Sequence, residues 1–205
     1  MLAIGGLFVG GAQLISLAPQ SASDAGASTE ALDSPMMSEA GDGTVRDEMK
    51  RAPAEKINLC TAPVAMVVPS ATGLVLSVDF PDAAAGTSRV DGVVVMTNTG
   101  GETITGYTAA SPAITLAQNG TVIWHSNGPT IQLARDVALA PGESIEYAAS
   151  FTPVVCDVED DVAESFRTDL PSAPAGQYQV SAAIDLMGER DADLITGDAQ
   201  TVTLN

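Results

Sequence analysis

Tyr178-Gln179-Val180-Ser181-Ala182-Ala183-Ile184-Asp185-Leu186 is the stretch whose reading decides the fold. Tyr178, Val180, Ala182, Ile184 and Leu186 fall on one parity, and Gln179, Ser181, Ala183 and Asp185 on the other. Successive side chains of a strand point to opposite faces, so this period of two predicts a strand with one buried and one wet face. Working outward, Leu74, Leu76, Val78 and Phe80 alternate with Val75, Ser77 and Asp79. Ile145, Tyr147, Ala149 and Phe151 alternate with Glu146, Ala148 and Ser150. Val93-Val94-Val95-Met96 is apolar on both parities and suits a central strand, while Thr201 to Leu204 reads as the final one.

Turn chemistry separates these runs: Asn98-Thr99-Gly100-Gly101, Asn127-Gly128-Pro129, Pro141-Gly142 and Pro174-Ala175-Gly176. Asn119-Gly120 stands between Ile114-Thr115-Leu116 and Val122-Ile123-Trp124, which predicts a tight hairpin. About seven to nine short strands with frequent turns predict an all-β domain, an immunoglobulin-like antiparallel β-sandwich over 57–205 with no long helix. Trp124 shares a face with Val122 and reads as the anchor between the sheets, with an exposed binding role as the alternative.

The chain before that domain has a different character. Leu2 to Ala18 carries no charge and only Gln13 and Ser16 as polar side chains, so 1–18 reads as a helical signal peptide or membrane anchor. No Lys or Arg precedes it, and Gly5, Gly6, Gly10 and Gly11 weigh against the alternative of a buried core helix. Ala25-Gly26-Ala27 and Ser21-Ala22-Ser23 are competing cleavage sites for a signal peptidase. Residues 19–56 are rich in Ser, Ala, Gly, Asp and Glu, the composition of a disordered linker. Arg46, Lys50, Arg51 and Lys56 lie there among Asp47, Glu48 and Glu55, a spacing that also permits a short helix. The expected location is extracytoplasmic, secreted or anchored through the first segment.

Two cysteines, Cys60 and Cys156, fit export. Without a CxxC pair they do not form a zinc or thioredoxin-like motif, and Cys60 lies too far from the apolar segment for lipidation. The expectation is one disulfide, which in a loop of this size contributes about 4–5 kcal/mol on the chain-entropy model. Two buried free thiols are the alternative.

Charge narrows the function. Eight Lys and Arg stand against 26 Asp and Glu in 205 residues, a net −18. Phosphate backbones are bound by clustered cations, so a nucleic-acid role is excluded, and electrostatic docking on anionic lipid is disfavoured. Apolar residues at 45% suffice for a core, while 4% aromatics are too few to line a sugar cleft between paired carboxylates. The single histidine, His125, has no G-x-S-x-G elbow to serve and is expected to be an exposed strand residue opposite Trp124. Asp157, Glu159, Asp160 and Asp161, with Glu164 close by, are weak calcium candidates, since hard oxygens bind that ion but no EF-hand spacing is present. Glu189, Asp191, Asp193 and Asp198 raise the same question, and for both clusters a solvated loop is the expected state. Met66, Met96 and Met187 are expected in or beside the core rather than as copper ligands. No catalytic residue, metal or cofactor is assigned.

Val93 to Glu102, Ala117 to Ser126, Leu139 to Tyr147 and Pro174 to Val180 follow one another in an order that resembles the BsuPI family, named after a proteinase inhibitor of bacilli. The shared features are a hairpin into Gly120-Thr121-Val122-Ile123-Trp124, then Leu139-Ala140-Pro141-Gly142-Glu143-Ser144, then Gly176-Gln177-Tyr178-Gln179-Val180, over residues 90–186. The chain departs from that pattern at Thr108 to Ala113, where the family carries an aromatic Gly-Gln segment, and at the acidic insertion Asp157 to Asp169. The resemblance implies the sandwich and, for the inhibitor reading, a rigid exposed loop at Thr108–Ser111 or Asn127–Thr130. The functional expectation is a non-enzymatic binding or assembly module with a protein partner at the cell envelope; the alternative is a BsuPI-type proteinase inhibitor.

Overall fold

Two antiparallel sheets face each other across the side chains picked out by the period of two. The computed structural model describes residues 52–126, 133–162, 166–188 and 192–205. Segment 1–18 and most of the linker lie outside the described residues. The strands are β1 (Leu74–Asp79), β2 (Val90–Asn98), β3 (Ile104–Ala109), β4 (Ala113–Gln118), β5 (Thr121–His125), β6 (Ala134–Leu139), β7 (Ser144–Phe151), β8 (Gly176–Met187), β9 (Ala192–Thr196) and β10 (Gln200–Leu204). One sheet runs β1-β2-β7; the other runs β5-β4-β8-β3-β6, with β9 and β10 paired to β8 as well. A one-turn helix, α1 (Val158–Asp161), and a 3₁₀ turn at Ala54–Lys56 are the helical elements among the described residues.

The core lies between the sheets. Leu74, Leu76, Val94, Met96, Tyr147 and Phe151 enter it from the smaller sheet, and Leu116, Trp124, Tyr178, Val180 and Ile184 from the larger. Trp124 is buried beside Val122, as its parity predicts. The Tyr178 hydroxyl donates to the Pro174 carbonyl at 2.6 Å, four residues upstream. A tyrosine at a strand start bonding back to the preceding corner is a hallmark of immunoglobulin-type sandwiches, and burial raises its phenol above the ordinary value.

Local chemistry sets the strand ends. Asn119 and Gly120 take φ values of 52° and 78°, the doubly left-handed turn that joins Gln118 to Thr121 across the β4–β5 hairpin. Asn98 is fully buried at the end of β2. Its Nδ2 donates to the carbonyls of Glu102 and Leu139 at 2.8 and 2.9 Å, and its Oδ1 accepts the Gly100 N–H at 2.9 Å. Just past the end of β1, Gln200 holds the chain: its Oε1 accepts the Phe80 N–H and its Nε2 donates to the Phe80 carbonyl. Beside β1 the backbone passes so close that a Cβ on Gly197 would lie 1.6 Å from the Leu76 oxygen.

Four expectations need correction. The ten strands among the described residues exceed the predicted number because β3, β6 and β9 carry weak alternation. Met66 is fully exposed rather than in or beside the core, and Met187 sits at the surface. The predicted wet face of β8 is covered at its centre, where Ala183 packs with Ala54 and Leu194 in a second small cluster. The linker boundary at 56 is late for the same reason: Ala54 is buried, and its N–H donates to Asp185 Oδ2 at 2.7 Å.

Two stability outcomes follow from these contacts. A chain beginning at Ile57 is expected to be about 1–3 kcal/mol less stable in urea than one beginning at Ala52, because Asp185 loses a donor and Ala183 its cover. Equal midpoints would place the turn outside the folding unit. Trp124→Ala is expected to cost about 3–5 kcal/mol through lost burial and cavity formation, read as a lowered denaturation midpoint.

Candidate functional site

The densest buried polar cluster forms where three separate segments meet the free edge of β5. Residues 60–64 run along that edge: the Thr61 N–H donates to the Val122 carbonyl, the Val122 N–H to Ala62, and the Val64 N–H to Gly120, at 2.9 to 3.0 Å. On the late segment, the Cys156 N–H donates to the Ile123 carbonyl at 2.8 Å. These bonds bring Cys60 and Cys156 together as a disulfide, with Cα atoms 5.6 Å apart and 96 residues between them in sequence. Both cysteines are buried.

His125, the last residue of β5, points into the same cluster. Its expected exposure is corrected by the structure: it is 1% exposed. His125 keeps the face opposite Trp124, but at this point that face is covered by Cys60, Asp161 and Phe166, so consecutive Trp124 and His125 are both buried. Nε2 lies 2.6 Å from Asp161 Oδ1 and 3.3 Å from Cys60 Sγ. A carboxylate only accepts, so Nε2–H is the donor to Asp161. The other Asp161 oxygen accepts the Cys60 N–H at 2.8 Å. Phe166 stands edge-on to the imidazole at a centroid distance of 4.9 Å.

The acidic stretch is exposed over most of its described length, as expected of a solvated loop, but three of the four calcium candidates make defined contacts within the fold. Asp157 caps α1 by accepting the Val158 N–H at 2.7 Å, and Asp160 reaches back to accept the Asp157 N–H at 2.8 Å. Asp160 is buried and takes a two-pronged contact from Arg167, at 2.7 Å to Nε and 3.1 Å to an Nη nitrogen. Asp161 holds His125 and Cys60, while Asp157 and Glu159 are exposed. The Arg167 guanidinium, with help from the Asp157 backbone N–H, lowers the Asp160 pKa to about 2. In the second acidic cluster, Asp193 Oδ2 accepts the hydroxyls of Ser70 and Thr72, while Glu189 and Asp191 lie outside the described residues. Of the two loops suited to an inhibitor, Thr108–Ser111 begins inside β3 with Thr108 buried against the Tyr147 hydroxyl at 3.0 Å; 127–130 lies outside the described residues.

One cluster therefore unites Cys60, Cys156, His125 and Asp161. Sequence reasoning named all four but not their meeting, and it missed Phe166 and Arg167 as partners. The available signal was indirect: a Cys60–Cys156 bond brings the acidic stretch after Cys156 close to whatever strand flanks Cys60.

No family model matches the chain, and no curated protein matches it. Among solved structures, the CARDB domain of a Pyrococcus furiosus protein in complex with di-metal ions is 16% identical at a TM-score of 0.31, with 68% of this chain and 95% of that one covered. A β-glucosidase from Erythrobacter marinus is 12% identical at 0.34, and one from Listeria innocua in complex with glucose is 12% identical at 0.33. The aligned part spans 16% of each glucosidase. Likeness at this level carries nothing about activity, and the sandwich rests on the chain's own two sheets.

The Asp160–Arg167 pair has a defined pH signature. Its folded pKa near 2 lies below the unfolded value of about 3.9. The pair's stabilisation is therefore complete above the unfolded value and lost as pH falls through the folded one. Melting midpoints measured from pH 5 down to about pH 2 are expected to fall less steeply in Arg167→Gln than in the parent chain. Parallel acid limbs would mean the pair adds nothing.

Proposed function

We propose that the protein is an exported or membrane-tethered, non-enzymatic immunoglobulin-like module that binds or assembles with a protein partner at the cell envelope. The observation that carries this reading is the burial of its reactive side chains. His125 is 1% exposed, the cysteines are paired, and Asp161 is occupied on both oxygens. A general base must reach a substrate proton directly or through one water, and a sealed imidazole does neither. The disulfide supports an oxidising compartment, and the apolar run before Pro19 supports export.

The BsuPI resemblance supports the module more than the inhibitor. Its motifs do structural work: Gly142 takes φ of 82° in the β6–β7 turn, Glu143 accepts the Ala140 N–H at 2.8 Å, Trp124 fills the core and Tyr178 locks a corner. None of these presents a loop to a protease.

The test combines fractionation with protease titration. Full-length protein is expected outside the cytoplasm with no alkylatable thiol, to crosslink in intact cells to a discrete envelope protein, and to leave a subtilisin-type protease uninhibited at equimolar ratio. Stoichiometric, saturable inhibition would establish the inhibitor reading instead. A cytoplasmic protein with two free thiols would overturn both.

A further inference from the structure

Three potential metal donors meet at one buried point from distant parts of the chain, and a fourth, half-buried, stands beside them. Ligand atoms of Cys60, His125 and Cys156 lie within 4.8 Å of one another, and an Asp161 oxygen lies 2.6 Å from His125 Nε2. Two sulfurs, one imidazole nitrogen and one carboxylate oxygen form a donor set that suits tetrahedral zinc, an ion without a geometric preference of its own. We propose that this cluster has two alternative states: a disulfide when oxidised, and a single zinc ion held by Cys60, Cys156, His125 and Asp161 when the cysteines are reduced.

The geometry fits both states. Zinc–sulfur bonds of about 2.3 Å place two thiolate ligands roughly 3.8 Å apart in a tetrahedral site. Cα atoms 5.6 Å apart accommodate that separation by side-chain rotation without moving either strand. Nε2 and Asp161 Oδ1, now 2.6 Å apart across a shared proton, separate to about 3.3 Å to admit a tetrahedral ion, a movement of the Asp161 carboxylate. With the neutral imidazole protonated on Nδ1 instead, Nε2 and Asp161 Oδ1 both become ligands. Asp161 Oδ2 stays bonded to the Cys60 N–H and orients the carboxylate, the supporting role that ligand partners play around metals. Cys60, Cys156 and His125 are 1–2% exposed, so the centre is closed to water, as structural zinc sites are.

The redox step is balanced as follows. The newly made chain carries two thiols and needs no reductant. Oxidised protein reaches the same state with a trialkylphosphine: phosphorus supplies two electrons to the S–S bond and becomes the phosphine oxide with the oxygen of water, whose two protons go to the sulfurs. Zinc then displaces both thiol protons.

The test uses the full chain, reduced with a phosphine, and one equivalent of Zn²⁺ or Co²⁺. Native mass spectrometry is expected to show one bound zinc in reduced protein and none in oxidised protein. The cobalt form is expected to show a sulfur-to-metal charge-transfer band with tetrahedral visible bands. In competition with a chelating dye, Asp161→Asn and His125→Gln are each expected to bind zinc at least about tenfold more weakly. Asp161→Asn keeps the oxidised fold testable if His125→Gln fails to fold. The proposal is overturned if reduced protein takes up no metal, if it unfolds and zinc does not restore it, if oxidised protein binds zinc equally, or if both variants keep the parent affinity and cobalt spectrum.

Discussion

The constraint on which the rest of the structure depends is the two-sided hydrogen bonding of β8. Its first half pairs with β10 and its second half with β9, while its other edge is shared between β4 and the end of β3. A strand that is an interior member of a sheet along its whole length has little freedom of register, since a one-residue slip would turn Tyr178, Val180, Ala182, Ile184 and Leu186 away from the core and bring Gln179, Ser181 and Asp185 into it. Tyr178, Val180, Ala182, Ile184 and Leu186 all face the core in this register. The neighbours are then fixed in turn. β4 brings the Asn119-Gly120 hairpin and β5, and β3 carries β6 to the far edge of the same sheet.

What β8 does not fix is the edge of β5, and there the polar cluster acts. Residues 60–64 cover that edge with backbone bonds. A short segment far from its nearest strand neighbours gains little from local propensity, so its docking rests on long-range ties. The disulfide supplies one covalently, and Asp161 supplies a second by accepting the Cys60 N–H. The 3₁₀ turn continues the same segment over the outer face of β8, which turns the last residues of an acidic stretch into part of the fold.

The strands with strong alternation were legible in the sequence, as were the Asn119-Gly120 turn and the burial of Trp124, because each depends on neighbours in the chain. β3 and β6 were not. Ile104 to Ala109 is rich in Thr, Ala and Gly, and Arg135 and Asp136 give β6 the charge of an edge strand. His125 was misplaced because the period of two assigns a side chain to a face but not what covers that face, and here Cys60, Asp161 and Phe166 arrive from distant parts of the chain. Within the acidic stretch, Asp160 and Asp161 were misread for a different reason. Charge density measures the cost of burial but not the partners that offset it, and here those partners are Arg167, His125 and the backbone of Cys60.

Those partners also explain why so polar a cluster is compatible with a stable core. Among the described residues, no buried side-chain nitrogen or oxygen lacks a hydrogen-bond partner. A buried carboxylate costs several kcal/mol if left alone and little when both oxygens are matched. Asp161 meets that condition through His125 and Cys60, and Asp160 through Arg167 and Asp157. The arrangement is therefore all-or-none at the level of the pair. Removing the imidazole alone strands a carboxylate oxygen inside the protein, whereas replacing histidine and aspartate together by apolar groups of similar shape would forfeit only their mutual attraction. The apolar pair would leave the Cys60 N–H without its acceptor, so even that double change would loosen the segment that seals β5. Packing energy comes from the aromatic and aliphatic core, and the polar cluster contributes the exact placement of the one stretch that core cannot position.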